Sequence, residues 1–277
     1  MNANICMVQL NLRTEFSKNE FYTYLEEEIF KKLNPNTHLV VFPENINLAL
    51  LFARKYELRQ KNVKNIFENL IDWLISKLNL RFILDAFDID NQKNIILNTM
   101  QQLAFKYNVY VATGTYYEKC ATKRFNAYCL INNYGKIVTS YKKYKLLGIE
   151  KALGISSRNN PQSIYTPFAR IGLCICYDMN FEDYIKDICK LGVDVLLCPS
   201  NGFRISKNYP FDKIKERPQV QRAQENGVYI VRPYCAGSLF PFFYFQGHSH
   251  AVDKNGNTIA ESKTLDQTEL LQFTISI

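Results

Sequence analysis

The sequence predicts one domain of the layered α/β class. Segments with the period of strands and segments with the period of helices alternate along the chain. Two hairpin-type turns, at 132–135 and at 255–256, indicate that part of the sheet is antiparallel. The chain has 277 residues, 47% hydrophobic and 14% aromatic, without an internal repeat or a linker. This composition suffices for one large core and excludes disorder and low complexity.

The strands are predicted from runs of β-branched and aromatic residues, which fit a pleated, half-buried surface. Each run is short and is bounded by residues that favour turns. The predicted strands lie at 5–12, 39–42, 109–113, 127–131, 137–141, 170–176, 193–198, 228–231 and 249–252.

Helices are predicted between these strands from apolar residues that recur every three or four positions. The first opens with a capping box, Ser17 followed by Glu20. Proline is favoured at the first position of a helix, and glycine directly after the last one. The other predicted helices run over 63–78, over 95–103, over 181–191 with Gly192 as the cap, and from Pro218 to Gly227.

The charge pattern bears on possible partners and on location. There are 34 Lys and Arg residues against 26 Asp and Glu residues, a net charge of +8, but they are dispersed, so no nucleic-acid partner is expected. No stretch is long enough to cross a membrane, and the first residues lack the pattern of a secretory signal. Eight cysteines without framework spacing fit a reducing compartment. We therefore expect a cytoplasmic protein with no membrane partner.

Polar residues that could carry chemistry follow three of the strands. Cys176 ends the strand at 170–176, beside the first amides of the next helix, which can lower a thiol pKa and donate to an oxyanion. By spacing alone, a buried structural cysteine is the commoner explanation. Glu44 follows an apolar strand and Pro43, and is either a helix N-terminal charge or a base with a raised pKa.

A third strand, at 137–141, is followed by three lysines, Lys142, Lys143 and Lys145. Lysines in a loop are usually solvated. An amine held against a carboxylate and a thiolate would instead supply fixed positive charge for a developing oxyanion. The spacing of the three strand ends leaves both interpretations open.

Together these segments resemble the nitrilase, or carbon-nitrogen hydrolase, superfamily. Its pattern is a Glu after an apolar strand and Pro, then Tyr-x-Lys-x-x-Leu, then Gly-x-x-x-Cys-(Tyr/Trp)-(Asp/Glu). Further similar stretches make the resemblance cover nearly the whole chain. The three main segments here are Phe42-Pro43-Glu44, Tyr141-Lys142-Lys143-Tyr144-Lys145-Leu146 and Gly172-Leu173-Cys174-Ile175-Cys176-Tyr177-Asp178, and the further stretches are Phe125-Asn126-Ala127, 222–226 and 247–253.

The resemblance implies a four-layer αββα sandwich formed by residues 1–277. Members of the family commonly pair through their helical layers, so a homodimer or a higher homo-oligomer is expected. The segment at about 49–102 looks longer than the typical connection after the glutamate, and predicts an enlarged helical insertion. The stretch 176–179 is especially similar to omega-amidase-like members, which usually carry Arg where this chain has Asn180.

The resemblance also implies a reaction, the hydrolysis of a small-molecule amide through a thioester. Glu44 would be the base, Cys176 the nucleophile, and Lys143 with the backbone N–H of Tyr177 the oxyanion-binding groups. No cofactor and no metal are expected. Tyr177 followed by Asp178 is more like amidases than the Trp-Glu of nitrilases, although nitrilases, carbamoylases and acyltransferases share the same three catalytic residues.

Three further residues match positions that contact substrate or the lysine in the family. Glu150 matches a second glutamate and is assigned to positioning Lys143 or the substrate, although a helix-start charge explains it equally well. Asn201 and Phe203 lie where family members contact substrate. The aromatic stretch 239–246 reads as a loop, and we expect it to line an acyl pocket or a subunit interface.

Two other hypotheses use different residues or no catalysis. Cys174 or Cys176 could pair with His248 or His250, or the Cys-x-Cys and His-x-His spacings could hold a metal. From another class, the chain could be a catalytically silent binding protein that uses its aromatic stretch to dock a partner.

Overall fold

Main-chain hydrogen bonds in the computed structural model form two large sheets and a small one. The structure describes residues 1–12, 17–50, 88–204, 217–240 and 243–277. In chain order the strands are β1 (Asn2–Asn11), β2 (Leu39–Val41), β3 (Tyr110–Ala112), β4 (Tyr116–Cys120), β5 (Lys123–Ile131), β6 (Ile137–Lys142), β7 (Ser163–Tyr165), β8 (Arg170–Leu173) and β9 (Val195–Leu197). They continue with β10 (Phe203–Arg204), β11 (Tyr229–Arg232), β12 (Cys235–Ala236), β13 (Ser238–Phe240), β14 (Phe243–Phe245), β15 (His250–Val252), β16 (Thr258–Glu261) and β17 (Glu269–Ser276).

The first large sheet has eight strands, with β1, β2 and β3 in parallel at its centre. Strand β5 returns antiparallel to β3, and β4 and β6 pair with β5. Strand β17 lies antiparallel to β1. Because β2 lies beside β3 and β3 beside β5, the end of β2 that leads to Glu44 lies near Asn126 on β5.

The second large sheet has six strands in the order β16, β15, β11, β9, β8, β7. Strands β8, β9 and β11 run parallel, so their carboxyl ends share one edge. Cys176 follows β8 and Ser200 follows β9 at that edge, and Arg232 is the last residue of β11. The small sheet consists of β10, β14 and β13.

Two helices have the boundary residues that the sequence indicated. The capping box is confirmed, since the Glu20 N–H donates to Ser17 and the Ser17 N–H donates back to Glu20. Pro218 is the first residue of its helix, and Gly227 closes that helix at φ 64°. In the described ranges the helices are α1 (Lys18–Glu28), α2 (Ile89–Tyr107), α3 (Gly148–Ala152), α4 (Glu182–Cys189) and α5 (Pro218–Asn226), with 3₁₀ turns at Phe30–Lys32, Ile46–Leu50 and Cys176–Asn180.

The prediction that Gly192 caps the helix before β9 is wrong. Helix α4 ends at Cys189, and Lys190 is its cap in the right-handed α region. Gly192 lies beyond it at φ +79°, and its N–H donates to the Cys189 carbonyl over 2.9 Å. The glycine therefore closes the turn between helix and strand, where a left-handed backbone is required.

Helices cover the outer faces of both large sheets, which confirms the αββα sandwich. Val40 on β2 faces Phe21 of α1 and Met100 of α2 in one buried cluster. Its neighbour Val41 faces the opposite way, into a second cluster that joins the two sheets and extends to Ile185 of α4. Alternate residues of one short strand thus contribute to two cores, as the period of two requires.

Two other predictions concern the segment at 49–103 and the aromatic stretch 239–246. Helix α2 confirms the helix predicted over 95–103, whereas the helix over 63–78 lies outside the described residues, and the enlarged insertion at 49–102 stays a prediction. The description of 239–246 as a loop is wrong, because β13 and β14 pair there as an antiparallel hairpin.

Candidate active site

Glu44 is carried to the edge of the eight-stranded sheet by the fully buried strand β2. Its own backbone joins the two large sheets, since its N–H donates to the Ser200 carbonyl over 3.3 Å. Gly114, in the turn after β3, has φ +70° and lies so close to Pro43, the residue before Glu44, that a Cβ would come 2.4 Å from the Pro43 carbonyl oxygen. Glu44 is 3% exposed.

Lys143 extends β6 by one hydrogen bond, from its N–H to the Asn126 carbonyl over 2.9 Å. Its side chain is 1% exposed, and the ammonium lies 2.8 Å from Glu44 Oε1 and 3.0 Å from Glu150. Burial opposes the charge, but Glu44, Cys176 and Glu150 together raise the pKa of Lys143 well above its ordinary value. The site therefore holds a permanent positive charge away from water.

Glu150 makes the contacts that both of the alternatives left open by the sequence require. It lies in the first turn of α3, and its Oε2 accepts the Leu147 N–H over 2.9 Å, as a helix-start charge does. Its carboxylate also accepts a hydrogen bond from Lys143. One carboxylate thus fixes the start of α3 and holds the lysine.

Asn126 is a site residue that the sequence analysis quoted in a motif without giving it a role. Its Nδ2 donates to Glu44 Oε1 and to Glu150 Oε1, each over 2.9 Å. It therefore donates to the same two carboxylate oxygens that accept hydrogen bonds from Lys143. The motif 125–127 was the available signal, but the partners of Asn126 are 82 and 24 residues away in sequence.

Cys176 lies on a strained turn directly after the strand β8. Its φ is +44°, a region that costs a non-glycine residue about 1–3 kcal/mol. Its N–H donates to the Pro199 carbonyl over 3.0 Å, and its thiol donates to the Asn201 carbonyl over 3.4 Å. Such a sharp strand-to-helix turn projects the side chain at the edge of the sheet.

Asp178, quoted in the same motif, holds this turn against the lysine segment. It is fully buried and accepts hydrogen bonds from the Ile175 N–H over 2.9 Å, the Lys145 N–H over 2.7 Å and the Tyr141 hydroxyl over 2.7 Å. One carboxylate thereby ties the end of β6 to the turn that bears Cys176. Burial raises the pKa of Asp178 to about 6.

The environment of Cys176 keeps its thiol protonated at neutral pH. Burial and the charge of Glu44 raise the pKa of Cys176 to about 12, against the opposing effects of Lys143, Arg232 and the hydrogen bond to Asn201. The charge of Glu44 thus favours the thiol, and the charge of Lys143 favours the thiolate. A nucleophile in this state needs a base, and the buried carboxylate of Glu44 is close enough for its charge to raise the pKa of this thiol.

The two predicted substrate residues have different surroundings. Asn201 is buried, its Oδ1 accepts the Gly202 N–H, and its Nδ2 has no hydrogen-bond partner among the described residues. Phe203 is 54% exposed on β10, with its ring 5.5 Å from that of Phe245. Tyr177, the residue after Cys176, lines an open cavity of about 490 Å³ together with Lys145, Leu147, Lys151 and Phe181.

The competing Cys and His pairing finds no support in the contacts. His248 is bonded to Glu261 and Arg217, and His250 to Arg217, Gln219 and Thr258. Within the described ranges, no group of three or more His, Cys, Asp or Glu residues could hold a metal ion. No described helix is long and apolar enough to cross a membrane.

Solved structures confirm the fold. An amidase from Nesterenkonia sp. superposes with a TM-score of 0.71 at 15% identity, covering 99% of this chain and 90% of that one. Nit3 from Saccharomyces cerevisiae, a member of branch 10 of the nitrilase superfamily, superposes with a TM-score of 0.69 at 18% identity, covering 99% and 89%.

Curated relatives match over part of their length. A deaminated glutathione amidase from Rattus norvegicus is 25% identical over 179 residues, 60% of this chain and 54% of the relative. Omega-amidase NIT2 from Homo sapiens is 24% identical over 173 residues, 60% of this chain and 61% of the relative. The aligned part thus spans little more than half the length of these relatives. The model of the carbon-nitrogen hydrolase family matches residues 7–277, and the chain therefore belongs to that family.

Proposed function

We propose that this chain hydrolyses a linear amide of a small molecule, with Cys176 as nucleophile, Glu44 as base and Lys143 as the oxyanion-binding cation. The observation that carries the proposal is the buried ammonium of Lys143, held between Glu44 and Glu150. A fixed cation that is excluded from water stabilises a developing oxyanion far more than a solvated one does. Membership of the carbon-nitrogen hydrolase family supports the same class of reaction.

The first half of the reaction forms a thioester. Glu44 takes the Cys176 proton, and the thiolate attacks the amide carbon while the carbonyl oxygen becomes an oxyanion. The Lys143 ammonium and the Tyr177 backbone N–H stabilise that oxyanion. Glu44 returns the proton to the nitrogen, the carbon–nitrogen bond breaks, and ammonia or an amine leaves.

The second half releases the acid. Glu44 takes a proton from water, and the hydroxide adds to the thioester carbon. The tetrahedral intermediate then expels the Cys176 thiolate, which recovers its proton from Glu44. Glu150 and Asn126 position Lys143 and Glu44 throughout, while Asn201 and Phe203 contact the acyl group.

The names of the relatives bear on the substrate and the assembly. Those aligned above are named as amidases, which favours an amide over a nitrile or a carbamoyl compound as the substrate. All eight cysteines are free, which supports a reducing, cytoplasmic location. We further propose a homodimer or a higher homo-oligomer, which sedimentation equilibrium would test through the mass in solution.

The direct test is ammonia release from a panel of small amides, with nitriles and carbamoyl compounds alongside. We expect turnover of amides by the wild type and none by Cys176→Ala. Glu44→Gln should lower kcat by about 10²–10⁴, the usual contribution of a general base. Glu118→Gln is the matched control and should keep the wild-type kcat. Glu118 lies on the strand β4 and pairs over 2.8 Å with Lys142, not with Lys143.

Mass spectrometry of the intact protein during turnover tests the intermediate. An acyl adduct on Cys176 should accumulate in Glu44→Gln, because deacylation also needs the base. Release of ammonia by Cys176→Ala at the wild-type rate would contradict the mechanism. Failure of the wild type to turn over any compound of the panel would favour the silent binding protein.

A further inference from the structure

The candidate base and the candidate nucleophile are both fixed to one short segment, residues 199–201. The Cys176 N–H donates to the Pro199 carbonyl over 3.0 Å, and its thiol donates to the Asn201 carbonyl over 3.4 Å. Between them, the Ser200 carbonyl accepts the Glu44 N–H over 3.3 Å. Any displacement of this segment therefore changes the position of Glu44 relative to Cys176.

Arg232 holds that segment from the next strand. It is 6% exposed, its Nε donates to Ser200 Oγ over 2.8 Å, and its Nη1 donates to Gln219 Oε1 over 2.7 Å. Gln219 is in turn hydrogen bonded to His250 over 3.1 Å. Arg232 is thus anchored to the first turn of α5 on one side and to the segment 199–201 on the other.

The charge of Arg232 has no acidic counterpart in the described part of the chain, where no Asp or Glu forms an ion pair with it. The Tyr234 ring, 5.3 Å from the guanidinium carbon, offsets part of the cost of burying this charge, but no carboxylate does, so a reason other than stability is needed. The candidate site supplies one, since it contains two carboxylates, Glu44 and Glu150, against the single ammonium of Lys143. That set is short of one positive charge.

We propose that Arg232 is a positioning residue of this site, which fixes the segment 199–201 under Cys176 and Glu44 and places a second positive charge beside the sulfur. The inference rests on the proposed function for its effect on turnover. Its effect on the sulfur is independent of any substrate. The sign of the electrostatic effect supports this placement, because the positive charge of Arg232 lowers the pKa of the Cys176 thiol.

The test measures the rate at which iodoacetamide alkylates Cys176 as a function of pH, with peptide mass spectrometry to assign the site. In Arg232→Gln we expect alkylation at a given pH to slow by about tenfold, because a nearby opposite charge shifts a pKa by at least one unit. Arg232→Lys keeps the charge and should stay close to the wild-type profile. Arg170→Gln is the matched control at the opposite end of the strand β8, and should leave the profile unchanged.

Positioning is tested separately with Ser200→Ala, which removes the acceptor of Arg232 without changing any charge. We expect a lower kcat at unchanged KM for the amide. A wild-type kcat in Ser200→Ala would overturn the positioning role, even if the Arg232 variants do not fold. An Arg232→Gln alkylation profile that coincides with the wild-type profile would overturn the electrostatic role.

The same measurements separate this inference from the proposed function. If the wild type turns over no amide, yet Arg232→Gln slows alkylation of Cys176, the proposed function fails and the charge beside the sulfur stands. If the wild type turns over amides and neither Arg232→Gln nor Ser200→Ala differs from it, only the inference fails.

Discussion

Lys143 is a buried cation whose energy depends on two carboxylates. Its ammonium lies 2.8 Å from Glu44 and 3.0 Å from Glu150, and Asn126 donates to the same two groups. Such a set is stable only as a whole, because removal of one member leaves an uncompensated charge in a low-dielectric site. The residues proposed to carry the chemistry are therefore also a structural unit.

This dependence predicts the effect of Lys143→Met on stability. The substitution leaves Glu44 and Glu150 facing each other, so we expect the free energy of unfolding to fall by about 3–5 kcal/mol. Urea denaturation of the wild type and the variant measures this loss. The double variant Lys143→Met with Glu150→Gln should recover part of it, because one of the two opposed charges is gone. Strict additivity of the two single effects would argue against the coupling.

The turns that follow the strands fix where these residues lie. Gly114 approaches the backbone of Pro43 so closely that a Cβ would lie 2.4 Å from its carbonyl oxygen. Gly227, at the end of α5, also has a positive φ, but an added Cβ would have no atom within 4 Å. The two glycines share the same backbone requirement and differ only in whether a neighbour must move.

Alanine at each glycine separates these two effects. Gly227→Ala should cost about 1 kcal/mol of stability from the left-handed backbone alone and leave kcat unchanged. Gly114→Ala should cost more and also lower kcat, because Pro43 must shift and Glu44 follows it. Thermal unfolding and steady-state amide turnover of both variants measure the difference. Equal losses of stability with normal turnover in both would show that the close approach at Pro43 does not position the base.

Asp178 makes the stability of the fold depend on pH at the turn that bears Cys176. Burial raises the pKa of Asp178 to about 6 from an ordinary value of 3.8, so the folded state holds this proton more tightly than the unfolded state does. The stabilisation is fully present below pH 4 and is lost as the pH rises through 6. The change corresponds to about 3 kcal/mol.

Asp178→Asn tests that dependence. The variant has no proton to lose, so its free energy of unfolding should change less between pH 4 and pH 7 than that of the wild type. It should also be less stable at pH 4, because its amide nitrogen cannot accept the hydrogen bonds that the carboxyl oxygens of Asp178, protonated or not, accept. Urea denaturation at both pH values provides the measurement. If the free energy of unfolding changed equally with pH in the wild type and in Asp178→Asn, groups other than Asp178 would cause the pH dependence.

Some of this element-scale arrangement was predictable from the sequence and some was not. Glu44, Lys143 and Cys176 could be located because each follows an apolar strand, and the period and the motifs are local properties. The roles of Asn126 and Asp178 were missed because their partners come from distant strands, and local patterns do not report such contacts. The hairpin at 239–246 was missed for the same reason, since β10 completes its sheet.

At the scale of the whole molecule, the two cores contain thiols that resist ionisation. Burial raises the pKa of Cys6 and Cys189 to about 12 and that of Cys129 to about 11, from an ordinary value of 9.0. Cys176 behaves in the same way. The elements that bear these residues lie in different layers of the sandwich, so alkaline pH acts on the entire fold.

The sign of the effect follows from proton binding. Above pH 9 the unfolded chain loses thiol protons that the folded chain keeps, so the free energy of unfolding falls as the pH rises. Each of these thiols contributes a slope of up to about 1.4 kcal/mol per pH unit between 9 and its folded pKa.

Cys6→Ala should therefore reduce the loss of stability between pH 9 and pH 11, measured by urea denaturation in the presence of a reductant. Cys120→Ser is the matched control, because Cys120 is exposed and should leave the slope unchanged. The cavity made by Cys6→Ala lowers stability by a similar amount at every pH, whereas the ionisation effect appears only above pH 9. A Cys6→Ala curve that stays parallel to the wild type from pH 7 to pH 11 would show that this thiol ionises equally in both states.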